Sequence, residues 1–414
     1  MKRIFFVLMI ALIPAMTYAA DKFDLEVYAS RFDSIPIGVV NFKPTNNNIL
    51  KDNFPWDVVA NDLDLCGRFM VLKLPEFDSA KFVDRGIGIY IDGHYTVDGS
   101  TVQVEFTLRD VMTRSALITK KYRGEMRFLR NMVHKYTNEM VKTLFGDRGI
   151  FESRILYVRT SGQNKNVAIM DFDGYNRSTL TSNNTINIFP VFADSSTVLW
   201  TSYQRGKPDI YRGSIKDGTS KIFLQGKAML VSPDVSHVDG TVAYASSQSG
   251  SLNVYVCGSD GSRQRQLTFS RGIDTAPNWS PNGYQIAFTS DRGGGPQIYI
   301  MDATGANQRR VTFEGRWNDT PAWSPKGDKI AYASLGDGYQ YNIWTISPDG
   351  SDAKMVANLP GTNENPTWSP DGMLIAFVNT IGGRSDMYIV KHDGSRLRKV
   401  TTTGDVRMPR WSSF

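Results

Sequence analysis

Two cysteines and four histidines are all that 414 residues contain of the two side chains that most often carry metal and nucleophilic chemistry. Cys66 and Cys257 stand in different halves of the chain and form no Cys-x-x-Cys pair, so neither a zinc ribbon nor a redox dithiol is encoded. His94, His134, His237 and His392 are scattered over separate segments. No His-Glu-x-x-His or Gly-x-Ser-x-Gly occurs, which removes the usual metalloprotease and serine-hydrolase signatures. Charge of one sign is never concentrated. The 47 basic and 41 acidic residues give a formal +6 but lie interspersed, which describes a solvated surface and not a nucleic-acid footprint. Beyond the first residues no apolar run reaches transmembrane length.

That first run reads as a secretory leader. Lys2 and Arg3 precede the apolar stretch 4–13, and Thr17-Tyr18-Ala19 supplies a small-residue cleavage site. No cysteine follows it, so no lipid-anchored N-terminus is implied. Residues 1–19 are therefore expected to be a signal peptide, and the mature chain a soluble exported protein without membrane insertion.

What the sequence has in abundance is a repeated phrase, Pro-x-Trp-Ser-Pro-x-Gly. It is intact at 277–283, 321–327 and 366–372, eroded from Pro190 and Pro233, and truncated at Pro409-Arg410-Trp411-Ser412. A recurrence every 43–45 residues, built from short strands, is the signature of a β-propeller. Each period carries an apolar triplet such as Ile286-Ala287-Phe288, then a Gly-rich loop and a further strand. A turn glycine follows (174, 218, 261, 305, 350, 394), preceded by Asp in five of six cases, a strong hairpin signal. A final strand ends in Leu-Thr or Val-Thr. That makes four strands, hence one blade.

Six triplets occur if Ile155-Leu156-Tyr157 is included. That first triplet lacks a Pro-x-Trp strand before it, and the last Pro-x-Trp strand lacks a triplet after it. The count predicts that Pro409–Ser412 inserts as the innermost strand of the first blade, since an open ring would leave apolar faces and unpaired edges. Trp279, Trp323, Trp368 and Trp411 are predicted core.

Ahead of the repeats, strands are expected at 35–42, 69–74, 87–95, 101–109 and 117–122, and helices at 55–66 and 128–145. The second helix carries Leu129, Met132, Val133, Tyr136, Met140, Val141 and Leu144 at helical spacing. The predicted fold is thus an α/β N-terminal domain, 20–148, plus an all-β six-bladed β-propeller, 149–414, with four-stranded blades.

The junction Gly149-Ile150-Phe151-Glu152-Ser153-Arg154-Ile155-Leu156-Tyr157-Val158 resembles the TolB family, the periplasmic component of the Tol-Pal system. Phe288-Thr289-Ser290-Asp291-Arg292-Gly293 running into Pro296-Gln297-Ile298-Tyr299, the segment Ile37-Gly38-Val39-Val40-Asn41-Phe42 and the surroundings of His134 carry the same resemblance. It covers essentially the whole mature chain. It implies a periplasmic, non-enzymatic adaptor. Its propeller would bind Pal, the peptidoglycan-associated lipoprotein. Its N-terminal segment would engage the inner-membrane protein TolA, here through Phe23, Leu25, Glu26, Val27 and Tyr28. The system holds the outer membrane in place during constriction at division. No cofactor is expected, and a monomer is.

Propeller geometry sorts the loops by face. The segments leading into the inner strands are rich in Asp, Asn, Thr and Arg and converge from six blades around the channel. Asp274, Thr275, Asn318, Asp319, Thr320, Glu364, Asn365 and Arg407 are the expected partner contacts, with Trp317 as the aromatic anchor. The competing reading is that these residues only satisfy strand-end backbone groups. Asp291 and Arg292 are expected to pair within or between blades, an ion pair holding their loop. Asp171-Phe172-Asp173-Gly174 resembles half a calcium loop but lacks the downstream Glu, so hairpin chemistry is the better account. An exported propeller enzyme such as a polysaccharide lyase is the alternative. It would need His, Tyr or Lys bases in the channel, where the sequence supplies Asp, Asn, Thr and Arg.

Overall fold

The computed structural model describes residues 34–50, 54–336 and 338–413. The leader and the segment holding Phe23, Leu25, Glu26, Val27 and Tyr28 lie outside the described residues. Among those described, no helix is long and apolar enough to cross a membrane.

The first described strand, β1 (Ile35–Val40), is buried throughout. Its unbroken apolar run suits a strand flanked by parallel neighbours. It pairs in parallel with both β3 (Phe69–Leu74) and β4 (Ile89–Asp98), and the two-residue β2 (Lys43–Pro44) also pairs with β4. From β4 the sheet continues antiparallel into β5 (Thr101–Asp110) and β6 (Ala116–Glu125). The 2-residue turn between β4 and β5 has Gly99 at φ +57°. Helix α1 (Phe54–Leu65) carries Pro55 in its first turn, where the missing N–H is not needed. The short α2 (Ser79–Asp84) is capped by the Asp78 carboxylate, which accepts from the Lys81 amide. The long α3 (Leu129–Phe145) ends on Gly146 at φ +75°, whose N–H bonds the Lys142 carbonyl, a glycine C-cap.

Gly38 sits between Ile37 and Val39 because the ring of Phe82, on α2, packs straight onto the strand backbone. A Cβ there would lie 2.5 Å from the Phe82 ring and 2.9 Å from Tyr90 Cβ. Gly38→Ala is therefore expected to destabilise by about 1–3 kcal/mol through overpacking, read as a lower denaturant midpoint with an unchanged slope.

Six four-stranded sheets follow, each ordered from the channel outward. The second strand of every blade carries the apolar triplet, and all eighteen triplet residues are buried. A strand covered on both faces by neighbouring blades needs a continuous apolar run. The closing Leu-Thr and Val-Thr pairs have their own reason. The hydroxyls of Thr181, Thr268, Thr312 and Thr401 each accept from a third-strand amide at 2.9–3.0 Å, standing in for a ladder bond where the outer strand stops.

The recurring proline is explained by a bulge. In every inner strand the pairing register breaks at the residue before that proline and the proline itself. Proline has no N–H for a ladder and is confined to such sites. The preceding residues Phe189, Ser232, Ala276, Thr320, Asn365 and Met408 all take φ between +47° and +57°. These six X-Pro steps ring the channel around a cavity of about 100 Å³.

Neighbouring inner strands are stitched by the residue after the proline. Asp234 Oδ2 accepts from the Trp279 amide at 2.7 Å, Asn278 Oδ1 from the Trp323 amide at 2.6 Å, and Thr367 Oγ1 from the Trp411 amide at 3.1 Å. The ring closes as the count requires. Val406–Trp411 is the inner strand of the first blade, with Trp411 opposite Ile155 and Arg410 opposite Leu156. The Trp411 indole donates to Ser153 Oγ at 2.8 Å. Trp279, Trp323, Trp368 and Trp411 are all buried. Cys66 and Cys257 are free and buried, and burial pushes each thiol up to about 12.

Candidate functional site

The α/β domain covers one face of the propeller. Arg68 reaches Asp371 at 3.1 Å, Arg398 reaches Asp64 at 3.1 Å, and Arg130 pairs with Asp173. Asp371 and Asp173 lie in turns at the far ends of the inner and third strands, so these turns form the covered face. The segments leading into the inner strands, and the loops between second and third strands, emerge opposite. That open face is the candidate interface.

The sequence-predicted residues divide there into two layers. Asp274 and Asn318 are buried. Asp274 Oδ2 accepts from Arg292 Nη2 at 2.9 Å. Asn318 Nδ2 donates to Gln297 Oε1 and to the Glu314 carbonyl, both at 2.7 Å. These two hold the loops from beneath. Thr275, Asp319, Thr320, Glu364, Asn365 and Arg407 are half-buried near the channel mouth. Asp319 Oδ1 accepts from the Thr289 hydroxyl at 2.8 Å and the Thr320 amide at 2.6 Å, which fixes the carboxylate. Burial pushes the Glu364 carboxyl above its ordinary value, opposed by Arg407. Trp317 is half exposed.

The expected ion pair within a blade is made by Arg292, with Asp274, and not by Asp291. Arg292 turns inward to Asp274, its guanidinium 5.1 Å from the Tyr299 ring centroid. Asp291 Oδ1 instead accepts from the Ile273 amide at 2.6 Å. Both still hold the loop, but Arg292 finds the carboxylate that is fully buried and most needs a cation.

Sequence reasoning missed the apolar rim. Phe269, Phe313 and Tyr339 are each about three-quarters exposed, and Ile273 and Ile381 about half. All sit on loops of the open face or, like Ile381 and Trp317, at the strand ends that border it. Arg316 lies over the Tyr339 ring at 5.2 Å and donates to its hydroxyl at 3.1 Å. A signal existed: Thr268-Phe269 and Thr312-Phe313 place a phenylalanine at the same register in consecutive periods, just where the outer strand has ended. Exposed aromatics grouped on one rigid surface, rimmed by polar loops, have the composition of a protein-docking face.

Comparison with known proteins agrees with this architecture. Residues 141–414 match the TolB beta propeller domain and residues 23–117 the TolB amino-terminal domain. The Tol-Pal system protein TolB of Desulfosudis oleivorans is 32% identical over 204 residues, covering 49% of this chain and 46% of that protein. The Protein TolB homolog of Chlorobaculum tepidum is 35% identical over 227 residues, 52% of each chain. The aligned regions thus span about half the length of these curated relatives. The crystal structure of TolB from Acinetobacter baumannii superposes with a TM-score of 0.78 at 26% identity, covering 91% of this chain and 96% of that one.

Proposed function

The chain belongs to the TolB family, and on that premise we propose that it is a non-enzymatic periplasmic adaptor of a Tol-Pal system. Its open propeller face grips a peptidoglycan-associated lipoprotein of the Pal type. Its N-terminal segment, around Phe23, Leu25, Glu26, Val27 and Tyr28, engages a TolA-type inner-membrane protein. The two contacts together support outer-membrane integrity and its invagination at division.

One observation carries the reading. The face opposite the α/β domain combines fixed polar groups at the channel mouth with an uncovered aromatic rim. Trp317 and Tyr339 supply large contact area, and Thr275, Asp319, Glu364 and Arg407 supply orientation. Asp274 and Asn318 act indirectly by holding the loops.

The test is equilibrium binding of purified lipoprotein to the full chain. Asp319→Lys combined with Thr275→Arg puts two cations on the half-buried layer and is expected to weaken binding by about thirtyfold or more, roughly the 2 kcal/mol of a hot-spot loss. Thermal denaturation monitors the fold of the double variant. Unchanged affinity moves the site off this face. Reproducible polysaccharide cleavage by the purified chain overturns the adaptor reading.

A further inference from the structure

Four charged groups from three elements meet in one buried cluster between the two domains. Asp62 comes from α1, Arg130 and His134 from α3, and Asp173 from the turn closing the third strand of the first blade. His134 Nδ1 lies 2.7 Å from Asp62 Oδ2, and His134 Nε2 lies 3.8 Å from Asp173 Oδ2. Arg130 Nη2 donates to the same Asp173 oxygen, and its guanidinium stacks 3.6 Å from the Tyr175 ring centroid. The Thr137 hydroxyl donates to Asp62 Oδ2 at 3.2 Å. Phe172 seals the site, its ring 5.6 Å from His134 edge-on. His134 is 2% exposed and Asp62 0%.

The charges decide what occupies this site. Asp62 and Asp173 bring two negative charges and Arg130 one positive. At this burial, the remaining charge must be matched locally. Asp62, His134 and Asp173 present ligand atoms within 4.8 Å of one another, a spacing that suits a divalent ion. Arg130, however, already holds Asp173, and an ion there would face a guanidinium at contact distance. A proton on the imidazole balances the charge of the cluster.

We propose that a proton held on His134 by Asp62 gives the imidazole the positive charge that, with Arg130, holds Asp173 and so latches α3 to the first blade, making the docking of the two domains proton-dependent. Burial alone would push His134 down, but Asp62 and then Asp173 outweigh it, and the imidazole stands above its ordinary value despite Arg130. Asp62 is likewise raised, chiefly by burial. The groups facing the pair are Arg130 on α3, Asp171 at the end of the third strand, and Asp173 and Tyr175 on the turn, and Asp171 is also raised by burial. The titration of this proton belongs to the pair and not to either residue. Because the folded pair holds it more tightly than separated groups do, the latch is complete below about pH 6.5. It is lost as pH rises through the folded value.

Hydrogen exchange on the full chain tests this. After correction for intrinsic exchange rates, the opening constant of amides in 171–175 and along α3 is expected to be flat below about pH 6.5. Above that it should rise by about tenfold per pH unit. His134→Gln should abolish that slope. A second measurement needs no variant: histidine NMR of the wild-type chain should show one imidazole titrating above its ordinary range, distinct from His237 and His392, which burial pushes down. A flat wild-type profile, an identical slope in His134→Gln, no raised imidazole, or one equivalent of tightly bound metal would each overturn the proposal.

Discussion

Truncation after Met408 is expected to lower the melting temperature by about 10 °C or more. The missing residues hold the end of the only inner strand that reaches its blade from the far end of the chain. Trp411 is buried against Ile155 and the first-blade core and donates to Ser153. Truncating a buried Trp to Ala alone costs about 3–5 kcal/mol. The Ser412 amide and hydroxyl also bond the backbone of Arg154, at 2.8 and 3.1 Å, and the thread from Thr367 to the Trp411 amide is lost as well. At about 2 °C per kcal/mol, the low end that applies to large domains, the combined loss exceeds what a single core substitution produces. Differential scanning calorimetry reads the result. An unshifted transition would show that the ring does not depend on its terminal strand.

Arg410→Met is the second large effect, about 3 kcal/mol of destabilisation near neutral pH. Arg410 reaches across the channel from the first blade to Asp234 in the third, where the carboxylate is 3% exposed. Asp234 also accepts from the Asn278 amide group at 3.1 Å and the Trp279 backbone at 2.7 Å. Two hydrogen bonds do not replace a cation, and a buried charge stripped of its partner typically costs about 3–5 kcal/mol. Burial already raises the Asp234 carboxyl, with Arg410 the main opposing influence. Without Arg410 the folded carboxyl moves further above the unfolded one, so folding takes up a proton and the variant recovers stability as pH falls. Chemical denaturation at pH 5 and pH 8 should show the smaller deficit at pH 5. Adding Asp234→Asn should restore part of the loss at both, and a pH-independent deficit would rule out the charge as its cause.

The wheel was legible because its information is periodic. Proline, tryptophan and glycine recur at fixed spacing, and each has a local reason: a bulge, a core residue, a turn. The closure of the ring followed from counting strands. The α/β domain was legible where apolar spacing is strong, as along α3. It was not legible at α2, whose six residues show less than two turns of pattern. The open face was harder. Asp274 and Thr275 are adjacent and similar in sequence, yet one is buried and the other half-exposed. The same position is buried in other blades (Asn187, Asn318, Asn363), and what makes a carboxylate tolerable there is Arg292, eighteen residues away, which no local pattern reveals. Phe269 and Phe313 look like core residues until the outer strand is seen to stop three residues earlier. The Asp62–His134–Asp173 cluster joins groups up to 111 residues apart on three elements, and only the folded chain brings them together.

The α/β domain rests on the sixth blade through Asp371 and Arg398 and on the first through Asp173. It therefore straddles the seam where the terminal strand zips onto the start of the wheel. To spring that seam, the chain must also tear the smaller domain from one of its two footholds. The bracing lengthens the lifetime of the closed form, a barrier to escape more than a depth of well. Whatever loosens the smaller domain should then hasten the loss of the whole.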